Sequence, residues 1–161
     1  MTTSKPYLKS FSASVLFLCI ILGLHASAYS FESLPNSFNG IQFGSKPTSG
    51  LKLTEKMDIV DPATNCSEHN YEPTSTNNLT FVNTPVKNVV YTYCNGKSLN
   101  VITITLQGGK FMDIVNNLTN TYGKPHTASL KLPQKFHVWQ DSKKVMILSA
   151  NKDAIMIEIR R

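Results

Sequence analysis

The most regular pattern of apolar positions in the chain is helical. Phe111, Ile114, Val115, Leu118 and Tyr122 recur at i, i+3, i+4, i+7 and i+11, which places them on one face of an α-helix. Gly123 and Pro125 follow in the order that ends a helix, because glycine accepts the left-handed backbone of the last turn and proline cannot continue the ladder. Upstream, Lys87 to Cys94 and Lys97 to Leu106 are rich in β-branched and aromatic residues and flank Asn95-Gly96. That pair tolerates positive φ at both centres of a tight turn, so a β-hairpin is predicted. Downstream, Lys135 to Gln140, Lys144 to Ala150 and Ala154 to Arg160 read as three strands with short polar separators, hence antiparallel neighbours. In the last of them Ile155, Ile157 and Ile159 alternate with Met156, Glu158 and Arg160, the period of a half-buried strand.

The remaining segments carry weaker patterns. Gly40 to Gly44 is a brief extended piece. Leu51, Leu53, Met57 and Val60 fit neither period, so Leu51 to Val60 is a short element of either type. Asp61 to Asn78 collects Pro62, Pro73 and many Asn, Ser and Thr residues, and reads as a long loop held by Cys66. The expected fold class is α+β: an antiparallel sheet of about five strands with one main helix packed on one face.

The N-terminus changes the picture of where this domain works. Lys5 and Lys9 precede an apolar run from Val15 to Leu24, and Ala26-Ser27-Ala28 follows it. A basic stretch, a short apolar run and small residues describe a secretory signal peptide, with cleavage expected between Ala28 and Tyr29. The run is about ten residues where a spanning helix needs about 20, so no stable membrane anchor is expected after cleavage. Cys19 follows the bulky Phe17 and Leu18, which argues against lipidation. The organisation is thus residues 1–28 as signal peptide and 29–161 as a single α+β domain, a mature chain of 161 − 28 = 133 residues. A periplasmic or secreted location is expected.

Cleavage removes Cys19 and leaves Cys66 and Cys94, which an oxidising compartment is expected to join. A loop of that length contributes about 3 kcal/mol by restricting the unfolded chain. The competing reading is a reactive thiol paired with His69, His126 or His137. The formal charge of +6 falls to 14 − 10 = +4 without Lys5 and Lys9. Only Lys143-Lys144 and Arg160-Arg161 are adjacent cations, and no basic stripe interleaved with aromatics is present, so no nucleic-acid partner is expected.

Candidate chemistry is sparse. His126 and His137 could meet across a loop and a strand, but zinc needs a third ligand and no His-x-x-His or Cys-x-x-Cys spacing occurs. No pair of acids stands out for glycoside hydrolysis, and no Gly-x-Ser-x-Gly elbow presents a serine. Gly108-Gly109 before the helix is better explained by a turn than by a phosphate loop. Sequons at Asn65, Asn78 and Asn117 matter only in a eukaryotic host. No catalytic, metal or cofactor residue is assigned.

Asn120-Thr-Tyr-Gly-Lys-Pro125, followed by Phe136-His-Val-Trp139, resembles an arrangement found in small bacterial periplasmic α+β proteins. Phe38-Asn-Gly-Ile-Gln-Phe-Gly44 and Val90-Tyr-Thr-Tyr-Cys-Asn-Gly-Lys97 fit the same scheme. More distantly, the chain is similar to the small outer-membrane assembly lipoproteins, but it lacks their lipidated cysteine. The resemblance implies a non-catalytic interaction domain of the envelope whose partner is another envelope or secreted protein. A small secreted hydrolase, or a hydrolase inhibitor, is the alternative reading.

Overall fold

The structure, a computed structural model, describes residues 32–61, 65–131 and 135–161. The expected cleavage site at Ala28 and Tyr29 and the apolar run before it lie outside these residues. Eleven strands and one helix follow one another among the described residues: β1 (Ser37–Phe38), β2 (Ile41–Gln42), β3 (Leu51–Asp61), β4 (Cys66–Pro73), β5 (Thr80–Phe81), β6 (Thr84–Cys94), β7 (Ser98–Leu106), α1 (Phe111–Tyr122), β8 (Thr127–Ser129), β9 (Lys135–Gln140), β10 (Val145–Ala150) and β11 (Ile155–Arg160). β1 and β2 form a two-stranded sheet of their own. The others form one nine-stranded antiparallel sheet in the order β3-β4-β6-β7-β11-β10-β9-β8, with β5 added to β6.

This corrects the expected α+β fold of about five strands: the domain is mostly β, with a single helix among its described residues. The additional strands come largely from the segment that reads as an irregular element and a loop. Leu51–Asp61 and Cys66–Pro73 pair as an outer hairpin, and Cys66 opens a strand instead of tethering a loop. Most of the described side chains of β3 are exposed, so neither face carries the inside–outside alternation by which a strand announces itself. The pairing is carried by backbone bonds and by contacts such as Asn70 Nδ2 to Glu55 Oε2 at 3.0 Å.

The stronger patterns behave as the sequence predicts. Asn95 and Gly96 adopt φ of 50° and 64°, both left-handed, and join β6 to β7. Gly96 is required twice over, because a Cβ there would lie 2.7 Å from His69 Nδ1. Helix α1 buries Ile114, Val115 and Leu118, three of its five striped positions. Gly123 ends it at φ 84°, its N–H reaching Thr119 O at 2.9 Å. The Gly123 carbonyl then accepts the indole N–H of Trp139 at 2.8 Å, so the tryptophan strand fastens the helix end.

Cross-strand register sorts the core into rows. Tyr71, Tyr91, Ile102, Ile159, Met146 and Trp139 lie opposite one another across six strands, and Val89, Ile104, Ile157, Leu148 and His137 form the next row. All but Tyr71 are buried, on the face that α1 covers. Full burial of such side chains contributes about 1.5–3 kcal/mol each before chain entropy is counted. The β1–β2 hairpin joins the same core through Phe38 and Ile41, and the Tyr91 hydroxyl donates to Phe38 O at 3.3 Å.

A polar clasp holds the start of the described chain. Leu34 N–H donates to Asp141 Oδ2 at 3.2 Å, and the buried Lys144 ammonium donates to Leu34 O. Asp141 also accepts the backbone N–H groups of Lys143 and Lys144 at 2.8 Å each. Burial would raise its carboxyl pKa, but the Lys143 and Lys144 amides, the Lys144 charge and the Leu34 amide hold it below the ordinary aspartate value.

Candidate binding surface

Cys66 and Cys94 form a disulfide with Cα atoms 5.2 Å apart. The bond links the start of β4 to the end of β6, beside a cluster in which Ser67 N and Oγ both donate to Asn95 Oδ1 at 2.9 and 3.0 Å. Asn95 in turn donates its backbone N–H to Ser67 O at 2.7 Å. Both sulfurs are consumed, so neither cysteine serves as a nucleophile in this state. His69 approaches Ser67 Oγ at 3.4 Å, on the same outer hairpin.

The other histidines do not converge. His137 is buried in the core, with its ring 5.5 Å from Phe111 and 6.0 Å from Trp139, and its Nδ1 has no hydrogen-bond partner. Burial lowers its pKa from the usual imidazole value, favouring the neutral ring. His126 is exposed, and its Nδ1 accepts the Gln140 N–H at 3.2 Å. Among the described residues no three His, Cys, Asp or Glu side chains gather at metal-binding distance. Clefts are shallow and chemically mixed. One of about 830 Å³ lies between the loop at Thr76–Leu79 and Gln107–Gly108, with Asp153 as its one carboxylate and no histidine.

What the strands do build is an uncovered face. On the side of the sheet away from α1, the register gives three rows: Val90, Thr103, Glu158, Ile147 and Val138; Thr92, Val101, Arg160, Val145 and Gln140; and Asn88, Thr105, Met156, Ser149 and Phe136. The usual outward face of a two-layer antiparallel sheet is polar. This one carries three valines, an isoleucine, a methionine and a phenylalanine in its β7, β9, β10 and β11 positions together with Glu158 and Arg160, and Glu68 and Glu72 of β4 lie on the same side, Glu72 accepting from Asn88 Nδ2 at 3.4 Å. These apolar side chains are half-buried, and none belongs to the core cluster. Glu158 and Arg160 are hydrogen-bonded to each other, and the Glu158 bond raises the Arg160 pKa further.

A signal for this face exists in the sequence. Val145-Met-Ile-Leu148 and Phe136-His-Val-Trp139 are nearly unbroken apolar runs, and such runs place apolar groups on both sides of a strand. Reading them only as strands misses the second side. Clefts lie beside the Asp141–Lys144 turn and Arg161, one of them reaching Val145 and Ile147 of the open face, and another lies beside the disulfide and reaches Thr92, Val101 and Arg160.

No family model, no curated protein and no solved structure matches the chain.

Proposed function

We propose that the chain is an exported, non-catalytic binding module that engages another protein of the envelope or the extracellular space through the open face of its sheet. The observation that carries this reading is the set of half-buried apolar side chains centred on Ile147 and Val138, which contributes nothing to the core cluster. An apolar area of this kind on a folded domain marks a docking site, because leaving it in water has a free-energy cost that binding recovers. The disulfide is compatible with an oxidising compartment, and the N-terminal pattern of Lys5, Lys9 and the Val15–Leu24 run supports delivery there.

The hydrolase alternative needs a nucleophile or paired carboxylates beside a base in a concave site. Its support is weaker: His137 faces the core, His126 caps a backbone amide, and Asp141 is engaged by three backbone N–H groups. The test is a comparison of protein captured by the wild type and by Ile147→Asp from the native compartment. Loss of the bound protein with an unchanged circular dichroism spectrum is expected. Equal capture by both would remove the open face from the binding reading.

A further inference from the structure

We propose that the cleft between the Asp141–Lys144 turn and Arg161 is a binding site for a small oxyanion, a carboxylate or a phosphate. The inference goes beyond the open face and does not depend on it.

The cleft, about 620 Å³, is assembled from distant parts of the chain: Ser33 at the start of the described domain, the buried Phe43 after β2, the turn that joins β9 to β10, and Arg161 after β11. Its charges do not cancel. Lys143, Lys144 and Arg161 border it against a single carboxylate, Asp141. That carboxylate is already engaged. It accepts the Leu34, Lys143 and Lys144 amides, and the buried Lys144 ammonium lies 3.8 Å from it while donating to Leu34 O. Asp141 and Lys144 thus neutralise each other, which leaves the charges of Lys143 and Arg161. Among the described residues neither of these two forms an ion pair. Arg160 is taken by Glu158, and Glu68 lines a separate cleft beside the disulfide that Arg160 and Arg161 also border.

The Arg161 guanidinium has a defined seat. Its backbone N–H donates to Asn100 O at 3.1 Å, and its side chain lies over Gly44, where a Cβ would come within 2.6 Å of Nη1. Gly44 adopts φ 82° and donates to Leu99 O at 2.9 Å, so the bare backbone that leaves room for the guanidinium is itself fixed. A guanidinium presents paired N–H donors that match two oxygens of a carboxylate or phosphate, and Lys143 supplies a second positive charge. A cleft concentrates the field of its cations more than a flat surface does. Its size falls in the range of about 300–1,000 Å³ typical of small-molecule sites. The one carboxylate is spent and the cationic donors are not, which selects an anion.

Inorganic phosphate and succinate, titrated separately into the isotope-labelled, disulfide-bonded protein at constant ionic strength, test the site by NMR. Saturable shifts of the Arg161 side-chain N–H and of the Ser142, Lys143 and Lys144 amides are expected with at least one probe, and the probe that saturates assigns the oxyanion. Arg161→Gln should weaken binding about tenfold or more, as loss of a charge-assisted pair does. Gly44→Ala should weaken it with every charge retained, because the added methyl group displaces the guanidinium. Arg161→Lys makes the same test without touching Gly44: it keeps the charge, loses the fork, and should recover only part of the affinity. Lys135→Gln, at the opposite end of β9, should change nothing. Shifts that rise without saturation for both probes, or an affinity that Arg161→Gln leaves unchanged or lowers no more than Lys135→Gln does, overturn the proposal.

Discussion

The two faces of the sheet are made by the same strands, often by neighbouring residues, yet they solve different problems. On β10, Met146 and Leu148 are fully buried under the helix side, while Val145 and Ile147, alternating with them, stay half-buried on the other. The covered face accounts for folding: its rows run without interruption from Tyr91 to Trp139 and take in Ile114, Val115 and Leu118 of α1. The open face spends comparable side chains on positions that no described element covers. Apolar residues retained where folding does not use them point to use in association.

The largest expected difference between the faces is thermodynamic. Trp139→Ala removes a fully buried indole and its bond to Gly123 O, and should cost about 3–5 kcal/mol in urea unfolding. A loss near zero would mean that the helix face is not the core. Next comes the bond at the sheet's outer flank. Cys66→Ser with Cys94→Ser should lower stability by about 3 kcal/mol, read from the same unfolding curves, because a ring of 28 residues is opened.

A pH titration sharpens the comparison in a different way, since a histidine sits among the covered rows. His137 is neutral in the fold, with its pKa lowered by burial, while the unfolded chain binds a proton near pH 6.5. The unfolded state therefore holds more protons at lower pH, and stability should decline as pH falls below about 6.5. His137→Leu should flatten that slope without removing the acid loss due to Asp141, whose lowered pKa contributes stability above the ordinary aspartate range and loses it below. An unchanged slope would place the His137 ring in contact with water. The smallest effect belongs to the open face. Val138→Thr, nearly the same shape, should change monomer stability by no more than about 0.5 kcal/mol in dilute solution. A cost like that of Trp139→Ala would show that something covers this side within one chain.

The sequence is legible where a residue's neighbours differ sharply on its two sides. The stripe from Phe111 to Tyr122, the Asn95-Gly96 turn and the alternating isoleucines of β11 all report such a contrast, and the structure places each as expected. Leu51–Asp61 reports none. Its described side chains are exposed apart from the partly buried Leu51, so its pairing rests on backbone bonds and on polar contacts such as Asn70 to Glu55, which leave no hydrophobic period in the sequence. The strand count exceeds the expected five for that reason: an outer hairpin of polar residues has the composition of a loop. The open face lay half-hidden in the unbroken runs Val145–Leu148 and Phe136–Trp139, where periodicity marks a strand but does not say that one side lacks a neighbour. The disulfide was legible because two cysteines remain once the first segment is set aside.

The position of β11 has a consequence for the order in which the molecule can be made. It is the last of the described strands in sequence yet lies in the interior of the sheet, hydrogen-bonded to β7 on one side and β10 on the other. A chain that appears N-terminus first has β3 to β7 and then β8 to β10 in hand as two separate half-sheets. Each ends in an unsatisfied inner edge. Only when Ile155–Arg160 arrives can the gap between them close, so the native sheet cannot be completed before this segment has emerged.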